Sequence, residues 1–116
     1  MRVSVPDRTL MQIREFSARS GLTQKALRLY DQNGLLPPSY INPESHYRYY
    51  LPELLARARR IILLRRLEMP LVLIGQILDV SAADALVMIK QFWLKLQSQH
   101  EAQQALFLQL VELYGG

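Results

Sequence analysis

The sequence predicts a mainly α fold: a winged helix-turn-helix with a short β-hairpin wing, a two-helix segment, and one long C-terminal helix. Residues 22–37 read as a short helix stopped by Asn33-Gly34. Ten residues beyond Pro37, Tyr47-Arg48-Tyr49-Tyr50 closes a turn-rich hairpin. From Ala82 to about Tyr114, no Gly or Pro interrupts a helical pattern. Residues 1–10 read as a flexible tail, 11–80 as a winged helix-turn-helix domain, and 81–116 as a dimerisation helix.

Each element follows from local chemistry. Ile13, Phe16 and Ser17 fall at i, i+3 and i+4 between Gln12 and Ser20, and Gly21 ends that helix as a C′ glycine does. Gln12 with Glu15 is a weak capping arrangement, since Gln is a poor N-cap. Thr23 is a better N-cap for a second helix reaching about Asn33, with Ala26, Leu27 and Tyr30 facing inward. Two short helices joined at Gly21-Leu22 make the helix-turn-helix pattern. Gly34, Pro37, Pro38, Asn42, Pro43 and Ser45 then exclude a helix over residues 34–50. Tyr40-Ile41 and Tyr47-Arg48-Tyr49 flank the loop of residues 42–46 as a hairpin. Strand alternation puts Tyr47 and Tyr49 on one face, Arg48 and Tyr50 on the other. One of the three tyrosines at 47, 49 and 50 is expected to be structural.

Pro52 and Glu53 open a helix to about Leu67, with Leu54, Leu55, Ala58, Ile61, Ile62 and Leu64 at helical spacing. Pro70 breaks it, and a short apolar helix over residues 71–78 ends near Asp79. Ser81 and Asp84 resemble a capping box for the long helix. A 4-3 register runs through Ala82, Leu86, Ile89, Trp93, Leu96, His100, Gln103, Phe107, Leu110 and Tyr114. A helix from Ala82 to Tyr114 spans about 50 Å at about 1.5 Å per residue. Its stripe needs a partner, and a second copy of the chain is the simplest. Leu86, Ile89, Trp93, Leu96, His100, Phe107 and Leu110 are the expected dimerisation residues, with His100 and Gln103 as a polar layer that fixes register.

Charge is unevenly spread. Residues 1–66 hold twelve Lys+Arg against five Asp+Glu, whereas residues 67–116 hold two against five. The first part suits a polyanion. With 116 residues and 50% hydrophobic content, one modest core is expected. Zero Cys excludes disulfides, thiolate ligands and a Cys nucleophile, and fits a reducing cytoplasm. Arg and Glu interrupt the most apolar run, so no membrane span is expected. His46 and His100 lack partners at metal-ligand spacing, and neither a nucleophile elbow nor a Gly-rich phosphate loop is present. No enzyme activity and no cofactor are expected.

Lys25, Arg28 and Tyr30 lie on or near the outer side of the second helix, beside a hairpin that carries an Arg among tyrosines. A solvated helix face explains Lys25 and Arg28 equally well on their own. The wing shifts the balance, because Arg48 can fork onto phosphate oxygens and tyrosine hydroxyls can donate to the same backbone. The arginines at 57, 59, 60, 65 and 66 read individually as a solvated face, and as a set as a source of phosphate contacts.

Residues 11–17, Lys25-Ala26-Leu27-Arg28-Leu29-Tyr30-Asp31, Gly34-Leu35-Leu36-Pro37, Tyr47-Arg48-Tyr49-Tyr50 and Met69-Pro70-Leu71 together resemble the amino-terminal domain of MerR-family transcription regulators. The Lys-Ala-Leu-Arg string and the wing are most similar to the BmrR-like multidrug-sensing branch. The resemblance implies a homodimer joined by antiparallel long helices in a coiled coil. It also implies double-stranded promoter DNA with a long spacer, distorted so that RNA polymerase can use both promoter elements. By position, Thr23, Lys25, Arg28 and Tyr30 would serve the recognition helix. Tyr47, Arg48 and Tyr49 would serve the wing, and Arg65 would grip the central backbone. Leu29 stands where the family usually has a first tyrosine, and Arg14 where it has a glycine, adding a cation beside the first-turn amides. The effector domain of multidrug-sensing relatives lies beyond the long helix and outside residues 1–116. A fragment and a short regulator with another input both fit. The inducing ligand is unassigned, and the cysteine route to thiophilic metals is closed. Two other functions fit the residues: an excisionase-like architectural DNA-binding factor, and a helical protein-interaction module.

Overall fold

The computed structural model describes residues 9–116. The expected tail therefore falls outside the described residues except at Thr9 and Leu10. The chain divides into two compact units, one running to Gly75 and the other from Gln76 to Gly116.

In the first unit, β1 (Met11–Gln12) leads into α1 (Ile13–Ser20) and α2 (Gln24–Gln32). The wing is β2 (Tyr40–Ile41) and β3 (Arg48–Tyr50), followed by α3 (Leu54–Arg66) and the start of α4 (Leu71–Asp79). The sheet has three antiparallel strands in the order β1-β3-β2, one more than a hairpin supplies. Met11 pairs with Tyr50 and Gln12 with Tyr49, while Tyr40 and Ile41 pair with Tyr49 and Arg48. A two-residue strand is too short to show alternation, so β1 has no sequence signature of its own.

Short-range hydrogen bonds build the helix-turn-helix. Gly21 adopts a left-handed φ of 85° and its N–H donates to the Ser17 carbonyl at 3.0 Å. A side chain at Gly21 would have room, so it is the positive φ that favours glycine there. The Ser17 hydroxyl donates to the Leu22 carbonyl at 2.6 Å, and Ser20 Oγ accepts from the Leu22 N–H at 3.1 Å. Thr23 Oγ1 then accepts from the Ala26 N–H at 3.0 Å, the N-cap expected for α2. Gln12, before α1, makes no side-chain cap.

The core of this unit is Phe16, Leu27, Leu36, Tyr50, Ala58, Ile61, Met69 and Ile74, all fully buried. Phe16 stacks on Tyr50 with ring centroids 4.4 Å apart, which joins α1 to the wing. α1 also packs against α2 and α3. α3 begins at Leu54 rather than at Pro52, because Leu54 and Leu55 donate three residues back, to Leu51 and Pro52, in a tighter turn.

α3 ends in a Schellman motif. The Met69 N–H donates to the Leu64 carbonyl at 3.2 Å and the Glu68 N–H to the Arg65 carbonyl at 2.8 Å, and both Met69 and Leu64 are buried. The left-handed position falls on Glu68, at φ 61°. Replacing Glu68 with glycine is expected to stabilise the fold by roughly 0.5–1 kcal/mol, the strain relieved less the added chain entropy of glycine. A thermal melt followed by circular dichroism checks this, with a rise of a few degrees expected.

The second unit is dominated by α5 (Ala82–Gly115), 34 residues long. Ser81 Oγ accepts from the Asp84 N–H at 3.1 Å, the cap the sequence predicts. No residue of α5 is buried within the chain. Leu86, Trp93, Phe107 and Leu110 are each about half exposed or more, His100 is exposed, and Ile89 and Leu96 are intermediate. Leu94, Leu106, Leu108 and Leu113 are exposed too, beyond the single stripe the register traced. No helix among the described residues is long and apolar enough to cross a membrane.

Candidate nucleic-acid interface

The start of α1, one side of α2 and the wing converge on one cleft of about 430 Å³. Arg14 enters it from the first turn of α1, Gln24 and Arg28 from α2, and His46, Tyr47 and Arg48 from the wing. Gln12 and Ile13 complete the wall, so the N-terminal end of α1 borders the cleft. Helix N-terminal amides and arginine side chains both favour anions, and no carboxylate lines the cleft. The geometry suits a phosphodiester backbone.

The wing tip is held by Asn42, whose Oδ1 accepts from the Glu44 and Ser45 N–H groups at 2.9 and 3.1 Å. The Asn42 N–H donates to the Tyr47 carbonyl at 3.0 Å, and His46 takes a positive φ of 62°. That left-handed residue turns the chain back into β3, so Tyr47 and Arg48 arrive at the cleft from a fixed loop. Tyr47 is 57% exposed.

A second, shallower surface of about 500 Å³ lies along the outer side of α2, formed by Thr23, Lys25, Ala26, Arg28, Leu29 and Gln32. Arg28 belongs to both surfaces. This side of α2 is opposite Leu27 and Tyr30, which are buried. A helix face with cations, a hydroxyl and an amide has the chemistry for base edges in a major groove.

The structure therefore gathers Arg14, Arg28, Tyr47 and Arg48 in the cleft, with Thr23, Lys25 and Arg28 along the outer side of α2. Three other candidates lie elsewhere. Tyr30 is 8% exposed, because its i, i+3 spacing from Leu27 turns the ring into the core. Tyr49 is half-buried and rests on Tyr40, directly across the ladder, with ring centroids 5.9 Å apart. Arg65 is exposed but spends Nη1 on the Met69 carbonyl at 2.8 Å, across the end of α3. Gln12, Gln24, Gln32 and His46 line the two surfaces without having been singled out as ligands. Gln32 was legible, since Lys25, Arg28 and Gln32 repeat at i, i+3 and i+7 opposite the buried stripe. Gln12, Gln24 and His46 depend on how β1, α2 and the wing meet.

Arg48 is not a free fork. Its Nε donates to Asp31 Oδ2 at 2.7 Å, and both side chains are largely covered. Behind them sits Tyr50, fully buried, whose hydroxyl has no hydrogen-bond partner among the described residues. Burial pushes the Tyr50 phenol up from its ordinary value, and the Asp31 carboxylate adds to this against the opposing pull of Arg48 and Arg28. A raised folded value means the native state keeps a proton that the unfolded state releases. The associated stability is present below about pH 10 and is lost as pH rises through the folded value. Tyr50→Phe removes both the orphaned hydroxyl and this linkage. It is expected to stabilise by about 1 kcal/mol at neutral pH and to weaken the alkaline loss, as read from melts across pH 7–11.

Residues 11–80 match the family model described as MerR HTH family regulatory protein, which is more than half of the chain. The chain belongs to that family. It is 40% identical over 63 residues to the transcriptional regulator BrlR of Pseudomonas aeruginosa (strain PAO1), a match covering 54% of this chain and 23% of BrlR. It resembles EcmrR, solved in a DNA complex, at a TM-score of 0.67 and 28% identity over 91% of this chain and 41% of that one. It also resembles the N-terminus of MtaN, the Bacillus subtilis multidrug transporter activator, at a TM-score of 0.64 and 25% identity over 87% of this chain and 98% of that one. The chain spans less than a quarter of the length of BrlR and less than half that of EcmrR.

Proposed function

We propose that this chain acts as a bacterial, cytoplasmic, sequence-specific DNA-binding transcription regulator in the form of a homodimer. Residues 11–80 hold the duplex and residues 81–116 pair with a second copy. The observation that carries this reading is the continuity of the two surfaces through Arg28. A phosphate-suited cleft and a base-suited helix face share one side chain, so one duplex can occupy both.

The exposed apolar residues of α5 support the homodimer, since Trp93, Phe107 and Leu110 are otherwise left in water. With α5 paired antiparallel, two recognition helices address two half-sites about one helical turn apart. The relatives carry the rest. BrlR is a transcriptional regulator and EcmrR was solved on DNA, which supports a promoter as the target. A long-spacer promoter, distorted so that RNA polymerase can use it, is the mode of action the family resemblance favours. No catalysis and no cofactor are part of this reading.

Selection from a random-sequence duplex library tests it. Enrichment of an inverted repeat with half-sites about 10 base pairs apart, or a multiple of that, is expected. Recovery of unenriched sequence at all salt concentrations would reject specific recognition, and enrichment of a single half-site would reject the dimer.

A further inference from the structure

Asp31 is out of place for a residue beside a polyanion. It sits in the last turn of α2, close to a cleft that gathers three arginines, and a carboxylate there repels the phosphates the cleft is suited to hold. What it does instead is visible in its contact. Asp31 Oδ2 accepts from Arg48 Nε at 2.7 Å, with the aspartate side chain 19% exposed and the arginine 30% exposed. Partly buried pairs are screened less by salt than surface pairs, so the contact holds its geometry across ionic strength.

The bond uses one of the five N–H donors of the guanidinium. It fixes the plane of the fork and leaves the Nη groups for an incoming oxygen, because Arg48 still lines the cleft. It also spans from α2 to β3, two elements that must meet the same duplex at a set separation. An arginine loses considerable rotamer freedom when it grips a ligand, and a pin that orders it beforehand removes that cost from binding.

We propose that Asp31 is a positioning residue of the nucleic-acid interface: it holds Arg48, and with it the wing, in the geometry that receives a backbone phosphate. Its charge opposes DNA, yet its removal weakens binding. The inference rests on reading the cleft as a DNA-backbone site.

The sign of the effect separates this role from simple repulsion. The measurement is fluorescence anisotropy with a labelled duplex of roughly 30 base pairs, long enough for two half-sites one helical turn apart. Wild type, Asp31→Ala, Arg48→Ala and the double variant are compared at several salt concentrations. Positioning through Arg48 predicts that Asp31→Ala, which has no acceptor for Nε, lowers affinity about tenfold in the wild-type background. It predicts no further loss, or a gain, in the Arg48→Ala background, where only repulsion remains to be removed. Binding by Asp31→Ala as tight as or tighter than wild type would overturn the inference while leaving the DNA reading intact. Equal losses in both backgrounds would also overturn it, since a general structural defect does not act through Arg48. Absence of binding by the wild-type protein would instead overturn the DNA reading, and the inference with it.

Discussion

Arg28→Ala is expected to weaken binding to the selected duplex by about 10- to 100-fold and to flatten discrimination against scrambled DNA. The argument is positional. Arg28 lines both the cleft and the outer side of α2, so its loss removes a cation next to the backbone and a donor next to the bases. An arginine reading a base edge contributes about 1–3 kcal/mol of discrimination, and a twofold dimer loses two copies. Lys25→Ala is a useful contrast, because Lys25 lines only the outer surface. Competition anisotropy with selected and scrambled duplexes measures both variants. A loss in Arg28→Ala that is equal on the two duplexes would confine its role to phosphate.

Phe16→Ala has the largest expected effect on stability. Phe16 is completely buried, stacks on Tyr50, and lies on α1, which packs against α2, α3 and β3. Truncating a buried phenylalanine costs about 3–5 kcal/mol, against a total stability of about 5–15 kcal/mol for a typical domain. The unfolding midpoint should fall on the order of 20 °C, or the domain should be unfolded at room temperature. Phe16→Leu keeps most of the volume and should lose far less, so the pair distinguishes packing from any direct role at the interface. Calorimetry on both variants supplies the comparison.

How much of this was legible in the sequence depended on the range of the cause. Gly21, Thr23 and Ser81 act on backbone groups within four residues, and each was readable from spacing alone. The helix-turn-helix and the wing followed, because breakers and caps punctuate them. The family match over residues 11–80 agrees with that reading. The strand at Met11 was not legible, since its existence depends on Tyr50, 39 residues away in the ladder. Nor was the tie from Arg48 to Asp31, separated by 17 residues and set by how the wing folds over α2. Arg65 is a different case. Its turn is local, but an arginine near Met69-Pro70 reads as surface charge until the Met69 carbonyl is seen to accept from it. Tyr30 carried two readings at once, inward by periodicity and outward by family position, and the structure places its ring with Leu27 in the core.

The central claim is that α1, α2 and the wing meet one duplex on a shared surface. Amide chemical-shift mapping during titration with the selected duplex tests it most directly. Shifts should cluster at residues 12–14, 24–32 and 46–48 and saturate together, with the α3 face around Ala58 and Ile61 undisturbed. Shifts confined to α5, or a saturation point for residues 46–48 different from that for residues 24–32, would contradict it.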